Sequence, residues 1–165
     1  MKTQNLETLF HDTLKDIYYA ERKILRALPK MARGAQSSKL RAAFEKHQEE
    51  TETHIERLQQ VFELMGKPAR GKSCPAIDGI IEEGEEALDA YAGSPALDAS
   101  LIAAAQAVEH YEMARYGTLR RWARLLDMGD AVRLLDATLQ EEGATDEALT
   151  RLADTSVNQA ALQAA

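Results

Sequence analysis

The sequence predicts an all-α protein, a bundle of four long helices with a long crossover that carries an extra short helix. Three observations predict it. Good helix formers (Ala, Leu, Glu, Arg and Gln) dominate the 165 residues. Only four prolines and nine glycines interrupt them, so long segments run unbroken. Within those segments apolar residues recur at three- and four-residue steps, the mark of one buried face per helix. The length suits one domain over 1–165 with a substantial core.

The first helix is expected over 3–33, where Leu6, Phe10, Leu14, Ile17, Ile24 and Leu28 draw the stripe. Pro29 should kink it or loosen its last turn. Residues 34–38 supply a turn with a serine available as N-cap. The second helix, 39–65, carries Leu40, Phe44, Ile55, Leu58, Phe62 and Met65. Gly66 is its C′ residue and Pro68 its stop. A polar linker, 67–75, leads to a shorter helix over about 75–91, which Gly93, Ser94 and Pro95 break. The third long helix, 95–126, has Ser94 as cap and Pro95 at its first position. Leu101, Ile102, Ala105, Val108, Leu119 and Leu126 form its apolar side. Residues 128–130 turn the chain into the fourth helix, 131 to about 153, with Leu134, Leu135, Leu139, Leu149 and Leu152. The tail, about 156–165, is small and polar, and is expected to fray or to pack as a short appendage.

Helices of roughly 25 to 30 residues are about 35 to 45 Å long, a length that suits a bundle. The crossover, about 67–94, is too long for a hairpin and long enough to span the bundle. The chain should therefore run up, down, cross over, run down again and return. Ferritin-like bundles have that connectivity.

A formal net charge of −7 argues against broad nucleic-acid binding, which needs a positive surface, and against anionic membranes. The arginines of 115–124 read as a solvated helix face. Cys74 is the one cysteine, so no intrachain disulfide can form, and a reducing cytoplasm is the expected setting. Cys74 itself, in the linker, reads as incidental. The N-terminal segment lacks the apolar core of a signal peptide, and no stretch approaches 18 apolar residues.

The informative residues are acids and histidines that stand where leucines are expected. With about 100° per residue, Glu21 falls between Ile17 and Leu28 on the buried face of the first helix. His47, Glu50, Thr51 and His54 span the core arc of the second. Glu109 and Glu112 flank the direction of Ala105 and Tyr116 on the third. Glu142 points with Leu135 and Leu149 on the fourth, and Asp146 lies one turn further along. A buried unpaired carboxylate costs several kcal/mol, so it neutralises, pairs or binds a cation. Glu21 and Glu50 are nearly equidistant from the turn at Gln36, as Glu112 and Glu142 are from that at Met128. Both layers then fall near mid-bundle. Oxygen ligands with one or two imidazoles suit iron or manganese, and zinc less distinctively. The alternative for the whole set is a polar core network with waters or shared protons. For the histidines it is ordinary hydrogen bonding to a neighbouring acid. Tyr116 is within reach of a ligating carboxylate, although a core role is its ordinary reading. His11 and His110 lie to the sides of their stripes.

The segments DIYYAERKILRAL, HQEETETHIERL, LIAAAQAVEHYEMARYGTL and LQEEGATDEAL resemble the YciE/YciF family of bacterial stress-response proteins, ferritin-like in fold. The resemblance spans nearly the whole chain. It implies a two-metal centre, a homodimer, a cytoplasmic location and a role in bacterial stress response, with no indication of protein partners. It carries over Glu21, Glu50, Glu109, Glu112 and Glu142 as the helix acids. The chain departs from the di-iron pattern in lacking Glu-x-x-His. Thr53 stands three residues after Glu50 and His54 four after, whereas His47 precedes Glu50 by three. Thr145 and Asp146 stand three and four after Glu142. A carboxylate-richer site follows.

The expected function is thus a ferritin-like protein that binds two metal ions, iron before manganese or zinc, and reacts with O₂ or peroxide if redox-active. Glu50 and Glu142 would bridge, Glu21 and Glu109 would cap, and Glu112 or a histidine (His47 or His54) would complete the set, with Asp146 a further candidate. The alternative is a non-catalytic helical scaffold or interaction protein with a relic of the site.

Overall fold

The computed structural model describes residues 4–163. Its elements are α1 (Leu6–Gly34), α2 (Ser38–Leu64), α3 (Pro75–Ala90), α4 (Leu97–Leu125), α5 (Gly129–Leu152), a π-helical turn (Ala153–Val157) and α6 (Asn158–Gln163). The expected start of the first helix at residue 3 lies outside the described residues. Among the described residues there is no strand.

Local chemistry sets the helix ends. The Asn5 side chain accepts from Thr8 N at 2.9 Å and caps α1. Ser37 caps α2, accepting from Leu40 N. Gly66, with φ 63°, takes the left-handed conformation that lets the chain leave α2. Helix α1 runs through Pro29 and ends only at Gly34. Helix α4 starts at Leu97, two residues later than expected. There the Ser94 hydroxyl accepts from Ala96 N, and Leu97 N bonds Ser94 O, so Ser94 and Pro95 form a turn ahead of the helix. Cys74 is buried rather than lost in a linker: it precedes α3, with Sγ 3.0 Å from Tyr111 Oη. The tail packs through Val157, which is buried, while Leu162 is exposed.

The chain order places α2 and α4 parallel. Asp98, in the first turn of α4, accepts from Gln36 N at 2.8 Å and Ser37 N at 2.7 Å, so α4 begins beside the turn where α2 begins. Helix α1 is antiparallel to both, and α5 returns along α4 and α2. Helix α3 lies outside, packed on α1 and α4. Tyr19 donates to Asp78 at 2.9 Å, and Lys30 faces Glu85 at 3.6 Å, so α3 runs parallel to α1. This is the anticipated crossover connectivity.

The core follows a 3.5-residue repeat. In α1 it runs Phe10, Leu14, Ile17, Glu21, Ile24, Leu28; in α2 Leu40, Phe44, His47, Thr51, His54, Leu58. All twelve are buried, and such a repeat keeps one seam facing the neighbours along the full helix. No helix among the described residues is long and apolar enough to cross a membrane.

Candidate metal centre

Mid-bundle, the repeat delivers polar side chains into the seam. Helix α1 supplies Glu21, α2 His47 and His54, α4 Glu109 and Glu112, and α5 Glu142, all buried. They form two groups whose donor atoms lie within 4.8 Å of one another: His47, Glu109, Glu112 and Glu142, and Glu21, His54 and Glu142. Glu142 belongs to both, and its two oxygens divide the work. Oε1 is 3.0 Å from His54 Nδ1, and Oε2 is 4.0 Å from His47 Nε2. His47 Nε2 also lies 3.0 Å from Glu109 Oε1, and His54 Nδ1 3.4 Å from Glu21 Oε1.

The Glu21–His54 side is held from behind. His54 Nε2 lies 2.9 Å from Glu141 Oε2, and Arg57 grips Glu141 with both terminal nitrogens, at 2.6 and 2.9 Å. Arg57 also donates to Thr138 Oγ1. The imidazole is thereby oriented with Nδ1 toward the centre, the arrangement that outer carboxylates impose on metal-binding histidines. Tyr116 donates its hydroxyl to Glu21 Oε1. The tyrosine is fully buried, so it serves both the core and this carboxylate.

The other side lacks such support. Among the described residues, the buried side-chain N and O atoms without a hydrogen-bond partner all belong to this centre. They are Glu21 Oε2, both ring nitrogens of His47, His54 Nδ1, Glu109 Oε2, and both oxygens of Glu112 and of Glu142. Several sit within contact distance of one another, yet no N–H is aligned between them. Buried donor atoms that converge without aligned hydrogen bonds between them suit a cation.

Electrostatics point the same way. Burial, with the charge of neighbouring carboxylates, pushes Glu109 and Glu112 well above the usual carboxylate range. Burial also favours neutral His54, but the Glu142 and Glu21 carboxylates beside its Nδ1 outweigh it and push the imidazole up to about 10. Burial alone would raise Glu142; the neighbouring His54 and Glu109 groups, with the His47 imidazole, turn it downward. The four acids of the centre therefore share their space with two imidazoles and, among themselves, disfavour full ionisation. Two divalent cations would balance four carboxylates, and the oxygen-rich set with two imidazoles fits iron or manganese.

Two anticipated residues stand elsewhere. Glu50 is half-buried at the rim, outside both groups, with Lys46 Nζ at 3.0 Å and His47 Nδ1 at 3.9 Å. Thr145 donates to its Oε2. The His47 imidazole, then the Lys46 ammonium, brings its carboxyl down to about 2. The cause is the seam: 47, 51 and 54 follow the repeat, and 50 falls one step to its side. Asp146 is likewise one step off the seam of α5. It accepts from Gln106 Nε2 at 3.2 Å and lies 3.2 Å from the exposed His110. His11 is edge-on to Phe62. Apolar periodicity does not single out Glu141 and Arg57. The available signal was that 54 and 57 on α2, like 138 and 141 on α5, are three apart on one helix face.

A family described as a domain of unknown function (DUF892) matches residues 5–162. The chain is 44% identical to Protein YciF of Escherichia coli (strain K12) over 162 residues, 98% of each chain. The crystal structure of that E. coli stress protein superposes with a TM-score of 0.90, covering 94% of this chain and 99% of that one. YcfI from Rhodopseudomonas palustris is 48% identical with a TM-score of 0.87, covering 90% of this chain and 95% of that one. A protein from Xanthomonas campestris pv. campestris, 21% identical with a TM-score of 0.74 over 96% of this chain and 97% of that one, shares the fold.

Proposed function

The chain belongs to the DUF892 family, and from that premise we propose that it is a two-metal carboxylate protein of a bacterial stress response, with iron as the favoured metal. One observation carries this reading: among the described residues, the unpartnered buried side-chain N and O atoms all belong to the two groups that share Glu142. Groups so costly to bury are retained where something charged fills the space between them. The relative YciF, described as a stress protein, supplies the physiological setting.

In this reading Glu142, with Oε1 beside His54 and Oε2 toward His47, would be the ligand common to both metals. Glu21 and His54 complete one position, and His47, Glu109 and Glu112 the other. Tyr116 keeps Glu21 oriented and Glu141 fixes the tautomer of His54. Glu50, expected as a bridge, would act from the rim through His47. A bound iron pair would supply two electrons to O₂ or peroxide. The protein's own part would be to hold the donors, exclude water and release to solvent the protons that Glu109 and Glu112 lose on loading. A homodimer in the cytoplasm is the assembly and location proposed with it.

Metal analysis of the chain purified from iron-supplemented cells tests the reading. The expected result is about two iron atoms per chain, both lost in Glu142→Ala. Absence of metal from a correctly folded chain would instead support the helical scaffold.

A further inference from the structure

Beneath α3 lies a cavity whose walls contrast with the acidic centre. Leu28 of α1, Phe44 of α2, Ile80 and Ile81 of α3, and Val108 of α4 line a volume of ≈30 Å³. One water-sized probe needs about 10–15 Å³, so there is room for a diatomic molecule and none for a chain-like ligand. A water placed there would need two to four polar partners, and most of the wall offers none.

Two residues belong to both spaces. His47 and Glu109 line the cavity and also contribute to the His47–Glu109–Glu112–Glu142 group. Both are buried, and neither His47 nitrogen nor Glu109 Oε2 has a hydrogen-bond partner. On the solvent side the lining includes Lys30 and Glu85, an exposed pair 3.6 Å apart that links α1 to α3. The cavity thus leads from the α1–α3 seam to one of the two metal positions.

We propose that this cavity binds a small apolar gas, dioxygen being the one the centre could use, and admits it to the His47 side. The inference rests on the two-metal reading for its purpose, and on the cavity alone for its binding. Glu21, His54 and Glu142 are absent from the cavity lining, so the gas meets the less supported half of the centre first.

Xenon is the probe for binding. Metal-free crystals under xenon pressure should show one xenon atom per chain between Phe44 and Val108, and Ala105→Leu, which fills the lining, should abolish it. Ala105→Val is the milder alternative if the larger side chain prevents folding. After iron loading, Ala105→Leu should keep wild-type metal content but consume O₂ about tenfold more slowly. Oxidation by hydrogen peroxide, a polar oxidant, should slow much less. No xenon in a wild-type chain that still loads iron overturns this inference alone. An unchanged O₂ rate in a filled cavity overturns it too. A chain that binds xenon but takes up no iron overturns the two-metal reading, and the delivery role with it.

Discussion

The two halves of the centre share Glu142 and differ in almost everything behind it. On the Glu21–His54 side, each donor has an outer partner: Tyr116 for Glu21, and Glu141 gripped by Arg57 for His54. On the His47 side, both ring nitrogens and both oxygens of Glu112 have none. The first half is arranged before any ion arrives. The second has no such outer partners and would be arranged by an ion it bound. Rigid support lowers the reorganisation that binding requires, so the halves should load unequally, the supported one first.

The largest expected effect comes from removing that support. Glu141→Ala frees His54 and should weaken the supported position by about 10–100-fold while the other stays close to wild type. Two resolved steps in a calorimetric metal titration would merge into one; steps that stay apart would break the comparison. Tyr116→Phe comes next. It removes the hydrogen bond to a buried carboxylate and should cost the metal-free chain about 1–2 kcal/mol by denaturant unfolding, less when metal replaces the lost partner. A gentler handle is pH. Glu109 and Glu112 have raised pKa values, so their contribution is full below the ordinary carboxylate range and is lost as pH rises toward those values. His54, raised to about 10, loses its contribution between about 6.5 and 10. Thermal midpoints of the metal-free chain should therefore fall from pH 5 upward, and those of the loaded chain should not. The smallest effect is expected at the rim: Lys46→Ala removes an exposed partner of Glu50 and should change stability by no more than about 0.5 kcal/mol.

Much of this arrangement was legible in the residues. Glu21, His47, His54, Glu109, Glu112 and Glu142 interrupt apolar stripes at positions that a helix must bury, so periodicity alone placed them inward. The crossover was legible from its length. Glu50 and Asp146 show the limit of an arc computed at 100° per residue. A seam built on 3.5-residue steps is narrower than that arc, and a residue one position aside reaches solvent or a lysine instead. Glu141 and Arg57 left no trace in periodicity, because half-buried charged residues beside a seam look like any solvated pair. Their role exists only once α2 and α5 are side by side. The start of α4, two residues later than local signals predict, has a related cause: the helix begins where Asp98 can reach the α1–α2 turn, a constraint between distant parts of the chain.

That contact at Asp98 reaches well beyond its own corner. One carboxylate, 6% exposed, clasps two amides of another hairpin, and Glu109 follows it at about 16 Å along the same helix. Sliding one hairpin past the other by a single turn, about 5.4 Å, would part donors that must stand a few ångströms from each other. The clasp acts as a datum pin, so the alignment of the chemistry at the waist of the molecule is set at its end, and an error made at the pin would arrive at the waist undiminished.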